Sequence, residues 1–407
     1  MPVTAPALSA DAIVVGGGLV GLSLAVALAR GGLRTVAIDR ENPARALAAE
    51  FDGRVSAIAH ASQVALRTIG IWQHVREAEP IRDIRVSDGD SLLFLHYDHR
   101  ELGDEPFGHM VENRELRHAL QCAARDCAGL ELLAPAAVVA CERGAAKTTV
   151  TLADARTITA PLVIAADGRD SPLRRAAGID TIGWRYGQSG IVCTVVHELP
   201  HRGVAQERFL PAGPFAILPM TGNRSSLVWT EREDLAPAIL ALDDAAFLAE
   251  LSARFGDHLG ALKVVGPRWS YPLSLQLASS YIAPRLALVG DAAHAIHPIA
   301  GQGLNMGLRD VAALAEVLVD ARRLGLDLGD IGVLEAYERW RRFDNVLLAG
   351  VTDALNRLFS NDARPVRITR DLGLGAVNAM RPLKRMFMRH ARGTLGKLPR
   401  LLDGRPL

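Results

Sequence analysis

The sequence predicts an α/β protein. A parallel-sheet domain, discontinuous along the chain, is interleaved with an antiparallel-sheet domain and followed by C-terminal helices. Three observations predict it. Apolar runs without polar alternation recur at Ala12–Val15, Thr35–Asp39, Leu162–Ala166 and Leu286–Val289, the signature of buried strands. One helix-length segment, Leu19–Arg30, joins the first two runs, so they pair in parallel through a right-handed crossover. From Ile191 to about Tyr281 the pattern is strand-like almost throughout.

The remaining elements follow in order. A helix is expected near Ser56–Ile69, then irregular strands and turns from about Ile81 to Phe107. Asn113–Asp126 has helical apolar spacing at Leu116, Leu120 and Ala123. Short strands are expected at Val138–Cys141, Thr148–Leu152, Ile191–Val196, Phe215–Leu218 and Ser226–Thr230, with a helix at Asp243–Phe255. Helices from about Gly303 to Leu324, at Ile331–Phe359 and at Arg367–Arg392 finish the chain. This divides it into a nucleotide-type domain of residues 1–80, 108–180 and 285–330, a sheet domain of 81–107 and 181–284, and a helical region of 331–407.

Bulk properties exclude several classes. Of 407 residues, 49% are hydrophobic and 22% charged, which fits a packed globular protein and not a disordered one. A net charge of +1 provides no field to recruit nucleic acid, and no nucleic-acid motif is present. Cys122, Cys127, Cys141 and Cys193 have neither CxxC spacing nor an accompanying His cluster and read as isolated thiols in a reducing compartment. Ala12–Ala29 is apolar enough to suggest a membrane span, but three consecutive glycines, Gly16 to Gly18, favour a strand–turn–helix.

Three motifs carry chemistry. Gly16-Gly17-Gly18-Leu19-Val20-Gly21 fits GxGxxG between a strand and a helix. Gly16 permits the turn, Gly18 lets a pyrophosphate approach the backbone, and Gly21 lets the helix sit close to the sheet. Free N–H groups at the helix start suit phosphate. Asp39 ends the second strand where a carboxylate can accept from both ribose hydroxyls. This motif suits the ADP half of either NAD or FAD. The second motif is Asp167-Gly168-Arg169-Asp170-Ser171-Pro172-Leu173-Arg174, an acid and a glycine at a strand end, with Ser171 placed to cap a helix that begins at Pro172. The third is Gly290-Asp291-Ala292-Ala293-His294, continuing through Pro298 to Gly301-Gln302-Gly303-Leu304-Asn305 and Asp310. Its small residues allow close backbone approach, Asp291 can bind polyol hydroxyls, and the glycines open a helix whose N-terminus favours negative charge. His294 and His297 have no partner at metal-ligand spacing, so no metal is expected.

Together these residues resemble the FAD-dependent aromatic hydroxylases of the para-hydroxybenzoate hydroxylase type. The third motif, Leu308–Leu314, the tail Asp353–Phe359, Phe51-Asp52-Gly53-Arg54 and Asn113-Arg114-Glu115-Leu116 are similar to the ubiquinone-biosynthesis flavin hydroxylases within that group. The resemblance spans nearly the whole chain and is weakest at 75–105 and 195–265, the segments expected to line the substrate site.

The resemblance implies a Rossmann-like FAD-binding domain and ring hydroxylation of a polyprenylated phenol in ubiquinone biosynthesis, through a flavin C4a-hydroperoxide. FAD and O2 take part, with NAD(P)H or another electron donor. Gly16, Gly18, Gly21, Asp39 and Arg40 would hold the ADP half. Arg54, Arg114, Asp167, Gly168 and Arg174 would make further cofactor contacts. Gly290 and Asp291 would take the ribityl chain, and Pro298, Gly301, Gly303, Leu304 and Asn305 would lie along the flavin ring. No side chain is assigned as catalytic; the chemistry is expected beside Pro298, Gly301 and Gly303. The implied partners are a hydrophobic phenolic substrate and other ubiquinone-pathway proteins. The basic tail, with Arg381, Lys384, Arg385, Arg389 and Arg392, suggests peripheral contact of a cytoplasmic protein with the inner membrane. Two other readings stay open: a hydroxylase of a small soluble phenol, and a non-enzymatic FAD-binding subunit of a biosynthetic complex.

Overall fold

The computed structural model describes residues 8–48, 54–89, 91, 94–296, 301–359, 373, 375 and 377–407. The continuous apolar runs form one six-stranded sheet in the order Ile282–Ala283, Leu286–Leu288, Leu162–Ala165, Ala12–Val15, Thr35–Ile38, Leu130–Leu133. Every pairing is parallel except that of the edge strand Ile282–Ala283. Leu19–Arg30 supplies the crossover helix and packs between this sheet and the helices Asn113–Arg125 and Gln302–Arg323. The strands have no polar face because helices and an attached four-stranded sheet cover both sides.

An eight-stranded sheet makes the second layer, in the order His294–Ala295, Leu262–Ala278, Thr181–His197, Arg224–Arg232, Gly213–Met220, Val204–Leu210, Asp83–Asp88, Phe94–Asp98. The sequence pattern suggests an antiparallel sheet, yet Asp83–Asp88 pairs with Val204–Leu210 in parallel. Asp83–Asp88 reaches the sheet from the other domain and not through a hairpin, so nothing local dictates its direction. Alternation gives this sheet two faces. Phe215, Ile217, Leu227 and Trp229 point to one side and bury Phe247, Leu251 and Phe255 of the helix Asp244–Phe255. That helix starts where Asp243 Oδ1 accepts from Ala246 N at 2.8 Å. Pro214, Ala216, Leu218, Val228 and Thr230 point to the other side, towards the parallel-sheet domain.

The helix expected near Ser56–Ile69 is shorter, His60–Thr68, and a strand, Val55–Ala59, precedes it. That strand pairs with Gly108–Glu112, where a Cβ on Gly108 would lie 2.1 Å from Ile58 O. The missing side chain lets the two backbones meet, and pairing overrides helical periodicity. Of the helix expected over Arg367–Arg392, Arg381–Arg392 is helical, while residues 367–372 lie outside the described residues.

The long helix Ile331–Phe359 crosses over the end of the parallel sheet. Its buried Tyr337 donates to Leu288 O at 2.7 Å, closing a carbonyl at the C-terminal end of the strand Leu286–Leu288, next to the sheet edge. Tyr337→Phe keeps the ring and leaves that carbonyl unsatisfied. The change is expected to lower unfolding free energy by about 1–2 kcal/mol, read as a lower urea midpoint at unchanged slope.

Candidate functional site

Three glycines shape the first loop for different reasons. Gly16 has φ +106°, and a Cβ there would stand 2.2 Å from Ala166 O; one on Gly21 would stand 2.0 Å from Gly16 O. Both are required by the protein's own packing. Gly18 differs: a Cβ there would meet nothing within 4 Å, and its φ of −67° suits any residue. It is the N-cap of Leu19–Arg30 with no side chain over the helix end, so the first N–H groups face open space. This is a cradle for a pyrophosphate. Asp39 is fixed beside it, accepting from Gly17 N at 2.8 Å and Glu41 N at 2.9 Å. Each carboxylate oxygen retains a lone pair for a ribose hydroxyl. Arg40 is exposed and 3.9 Å from Glu41.

A cavity of about 550 Å³ runs from Gly18 to the sheet face described above, a size suited to a small ligand. Gly18, Arg54, Gly168, Arg169 and Asp291 make its wall at the polar end; Ile81, Ile84, Phe107, Ala216, Leu218 and Val228 make its wall at the apolar end. Asp291 is exposed to the cavity while Gly290, Ala292 and His294 around it are buried. The helix Gln302–Arg323 points its N-terminus at the same space. Its N-cap Gly301 has φ +61° and no side-chain cap, and Gly303 and Leu304 also line the cavity. Two uncapped helix ends, a carboxylate between them and an apolar far wall fit FAD with an aromatic substrate beyond it.

Several motif residues act on the protein instead of pointing into the cavity. Arg174 is buried, and its guanidinium donates to Ala292 O and Arg169 O, both at 2.8 Å, so it staples the second motif to the third. Ser171 caps its short helix as the sequence suggests, accepting from Arg174 N at 3.0 Å. Asp167 accepts from Leu173 N at 3.3 Å; burial raises its carboxyl above the usual range. Asn305 lines the cavity, but its amide is spent on the strand Val55–Ala59: Oδ1 accepts from Ala59 N at 2.9 Å and Nδ2 donates to Ala57 O at 2.7 Å. Pro298, His297 and Phe51–Gly53 lie outside the described residues.

Arg54 lines the cavity, its guanidinium 5.0 Å from the Tyr271 ring centre. Arg114 lies instead in a separate cleft with Arg76 and Arg224. The cavity-facing residues of that helix are Asn113 and Arg117. Four-residue spacing puts those two on one helix face and Arg114 on another, a phase signal present in the sequence. Arg169, which the second motif contains without an assigned role, also lines the cavity and donates from Nη1 to Ser274 Oγ at 2.8 Å on the sheet.

The loop carrying Asp291 is held by a buried charge cluster. Asp310 Oδ2 accepts from Gly290 N at 3.1 Å and lies 2.5 Å from His294 Nε2. Its Oδ1 accepts from Arg341 Nε at 2.9 Å on the long helix. Burial opposes the Asp310 charge, but His294 and Arg341 outweigh it and hold the carboxyl down at about 2. Among the described residues no three His, Cys, Asp or Glu side chains gather as a metal site.

Comparison with known proteins agrees with this geometry. Residues 9–343 match the model of a family described as FAD binding domain. The chain is 58% identical over 403 residues to ubiquinone hydroxylase UbiL of Rhodospirillum rubrum, covering 98% of this chain and 94% of that one. It is 36% identical over 383 residues to 3-demethoxyubiquinol 3-hydroxylase of Escherichia coli, covering 93% and 97%. The structure of p-nitrophenol 4-monooxygenase PnpA from Pseudomonas putida superposes with a TM-score of 0.79 at 20% identity over 96% of this chain and all of that one, a likeness of fold.

Two outcomes are expected. Gly18→Ala should leave apoprotein stability within about 0.5 kcal/mol while weakening FAD binding at least ~tenfold in a fluorescence titration, because its new methyl enters only ligand space. Asp310→Asn should cost about 3 kcal/mol at pH 7, because the buried Arg341 guanidinium then keeps only the half-exposed Asp344 as a charged partner. A carboxyl depressed in the fold stabilises above its unfolded pKa and loses that contribution as pH falls through the folded value. The wild type should therefore lose this stability between about pH 4 and 2, and the variant's acid-unfolding curve should lack that component.

Proposed function

The chain belongs to the FAD-dependent hydroxylases of ubiquinone biosynthesis, and on that premise we propose that the cavity holds FAD at its polar end and a polyprenylated phenol at its apolar end. The protein is an aromatic-ring monooxygenase that uses O2 and electrons from NAD(P)H or another donor. FAD, when bound and reduced, supplies the activation of O2 that puts one oxygen atom on the ring and releases the other as water. The observation that carries the reading is a single cavity joining two uncapped helix N-termini to an apolar sheet face.

The chain's own residues bind, orient and exclude water. N–H groups beyond Gly18 receive the pyrophosphate, and Asp39 receives the adenosine ribose. Asp291 accepts from the ribityl hydroxyls. The N-terminus at Gly301 stabilises negative charge on the reduced ring without a cationic side chain. Arg54 and Arg117 border the same cofactor space. Ala216, Leu218 and Val228 keep the reacting ring dry, and Ile81, Ile84 and Phe107 continue the apolar wall along which a prenyl tail lies. In this reading residues 1–80, 108–180 and 285–330 form the cofactor domain, and 81–107 with 181–284 form the substrate domain, except that Ile282–Ala283 joins the six-stranded sheet and His294–Ala295 the eight-stranded one. A substrate with such a tail comes from a membrane, which the basic C-terminus meets peripherally. Among the described residues no helix is long and apolar enough to cross one.

The test is quinone-intermediate profiling by mass spectrometry in a host lacking this gene. One under-hydroxylated prenylphenol is expected to accumulate, and the intact gene but not Asp291→Ala should clear it. An unchanged profile in a host without a second such hydroxylase would sink the assignment.

A further inference from the structure

A helix that is apolar around its whole circumference cannot leave one side in water without something to cover it. The long helix Ile331–Phe359 has such a stretch. Its inner side is occupied: Leu348 and Ala349 pack with Ile296 and Met306, while Asn345 and Asn356 are buried on Asp310 and Gln188. Its outer side carries Phe343, Val346, Leu347, Val351 and Leu358 at helical spacing. All five are exposed, Phe343 by 73% and Leu347 by 56%, more than isolated surface residues explain. Between Asp344 and Arg357 the one charged residue is Asp353, which pairs with Arg357 and accepts from Trp184 Nε1 at 3.0 Å. Trp184 is itself exposed and extends the patch onto the sheet, together with Ile182 two positions earlier on the same strand face.

Exposed arginines stand at both ends of this stripe, Arg342 at one and Arg357 at the other, but within the long helix acids match them, Glu335 pairing with Arg339 and Asp353 with Arg357. The helix Arg381–Arg392 exposes Arg381, Arg385 and Arg389 beside Met386 and Phe387 and contains no acidic residue. Both helices also pack behind the apolar wall of the cavity, which Ala391 of the second lines directly. Phe359 and Met388 belong to one buried cluster with Ile81 and Phe107, and Phe359 stacks on Phe209 with ring centres 3.9 Å apart.

We propose that the outer side of the long helix, with the basic helix Arg381–Arg392, seats the protein on an anionic lipid bilayer. The inference rests on the prenylated-phenol reading and deepens it, because docking this face puts the apolar end of the cavity against the phase that holds the substrate. Charge selects the bilayer over a second copy of the chain. The unopposed charge is that of Arg381, Arg385 and Arg389 on a helix with no acid of its own; anionic headgroups complement it while the acyl boundary covers the stripe, whereas a second copy presents the same arginines. Trp184 stands where an amphipathic ring prefers the interface.

The test is co-sedimentation of the FAD-loaded full chain with vesicles, either phosphatidylglycerol mixed with phosphatidylcholine or phosphatidylcholine alone. Turnover of a detergent-dispersed short-chain phenol is measured in parallel. Binding is expected to the anionic vesicles, weakened by salt. It should fall at least ~tenfold in Leu347→Asp/Val351→Asp and in Arg385→Glu/Arg389→Glu, with turnover retained in both. Absence of binding at low salt, or equal binding by the wild type and both variants, overturns the proposal. So does an oligomer that dissociates in Leu347→Asp/Val351→Asp while vesicle binding persists, since the stripe then belongs to a second copy. Wild-type turnover without vesicle binding removes the docking face and leaves the functional reading standing. Vesicle binding that both variants lose, without turnover of any phenol, removes the functional reading and with it the reason given for the docking.

Discussion

The buried carboxylate of Asp310 is the point on which the geometry of the site depends. Three segments distant in sequence meet on it: the loop at Gly290 and His294, the helix Gln302–Arg323 that carries it, and Arg341 on the long helix. Charges in a dry interior add little net stability compared with well-packed apolar groups, but once present they tolerate few arrangements. That intolerance is useful here. Asp291 must project into the cavity from a loop of small residues that offer few side-chain contacts, and the Asp310 cluster holds the backbone on either side of it. Five residues before Asp310 on the same helix, Asn305 uses its amide to hold the strand Val55–Ala59, another cavity wall.

The cavity itself is a product of layering. The eight-stranded sheet sends alternate residues to opposite sides, and only one side has its own helix. The Trp229 side is closed by Asp244–Phe255 and gives the domain a core independent of any ligand. The Val228 side faces the parallel-sheet domain across a gap, and its small and β-branched residues leave room for a planar ring. One strand thus contributes both to stability and to recognition, with successive residues divided between the two. Arg174 and Arg169 hold the layers in register, the first by joining two motif loops and the second by reaching Ser274 on the sheet.

Much of this was legible in the sequence because it is local. The strand Ala12–Val15 and the helix Leu19–Arg30 end where the pattern places them, since a switch from continuous apolar residues to helical periodicity at a glycine turn has few other solutions. Ser171 before Pro172 likewise carries its own capping geometry. The strand Val55–Ala59 was not legible: its small residues suit a helix equally well, and a partner strand some fifty residues later decides the matter. The phase of the helix Asn113–Arg125 could have been read, since Asn113 and Arg117 share a face and Arg114 does not.

The chain by itself determined which segments are strands and helices at its nucleotide-type end, which glycines stand at helix starts, and which family the motifs resemble. These follow from backbone dihedral limits and side-chain periodicity within a few residues. The tertiary structure alone decided that Arg174 spends its charge on a carbonyl 118 residues away, that Asn305 ties a strand 246 residues earlier, and that Asp83–Asp88 pairs in parallel. The physical reason is that a side chain's chemistry limits what it can bind, whereas its partner is set by which segments the packed core brings within a hydrogen bond's length.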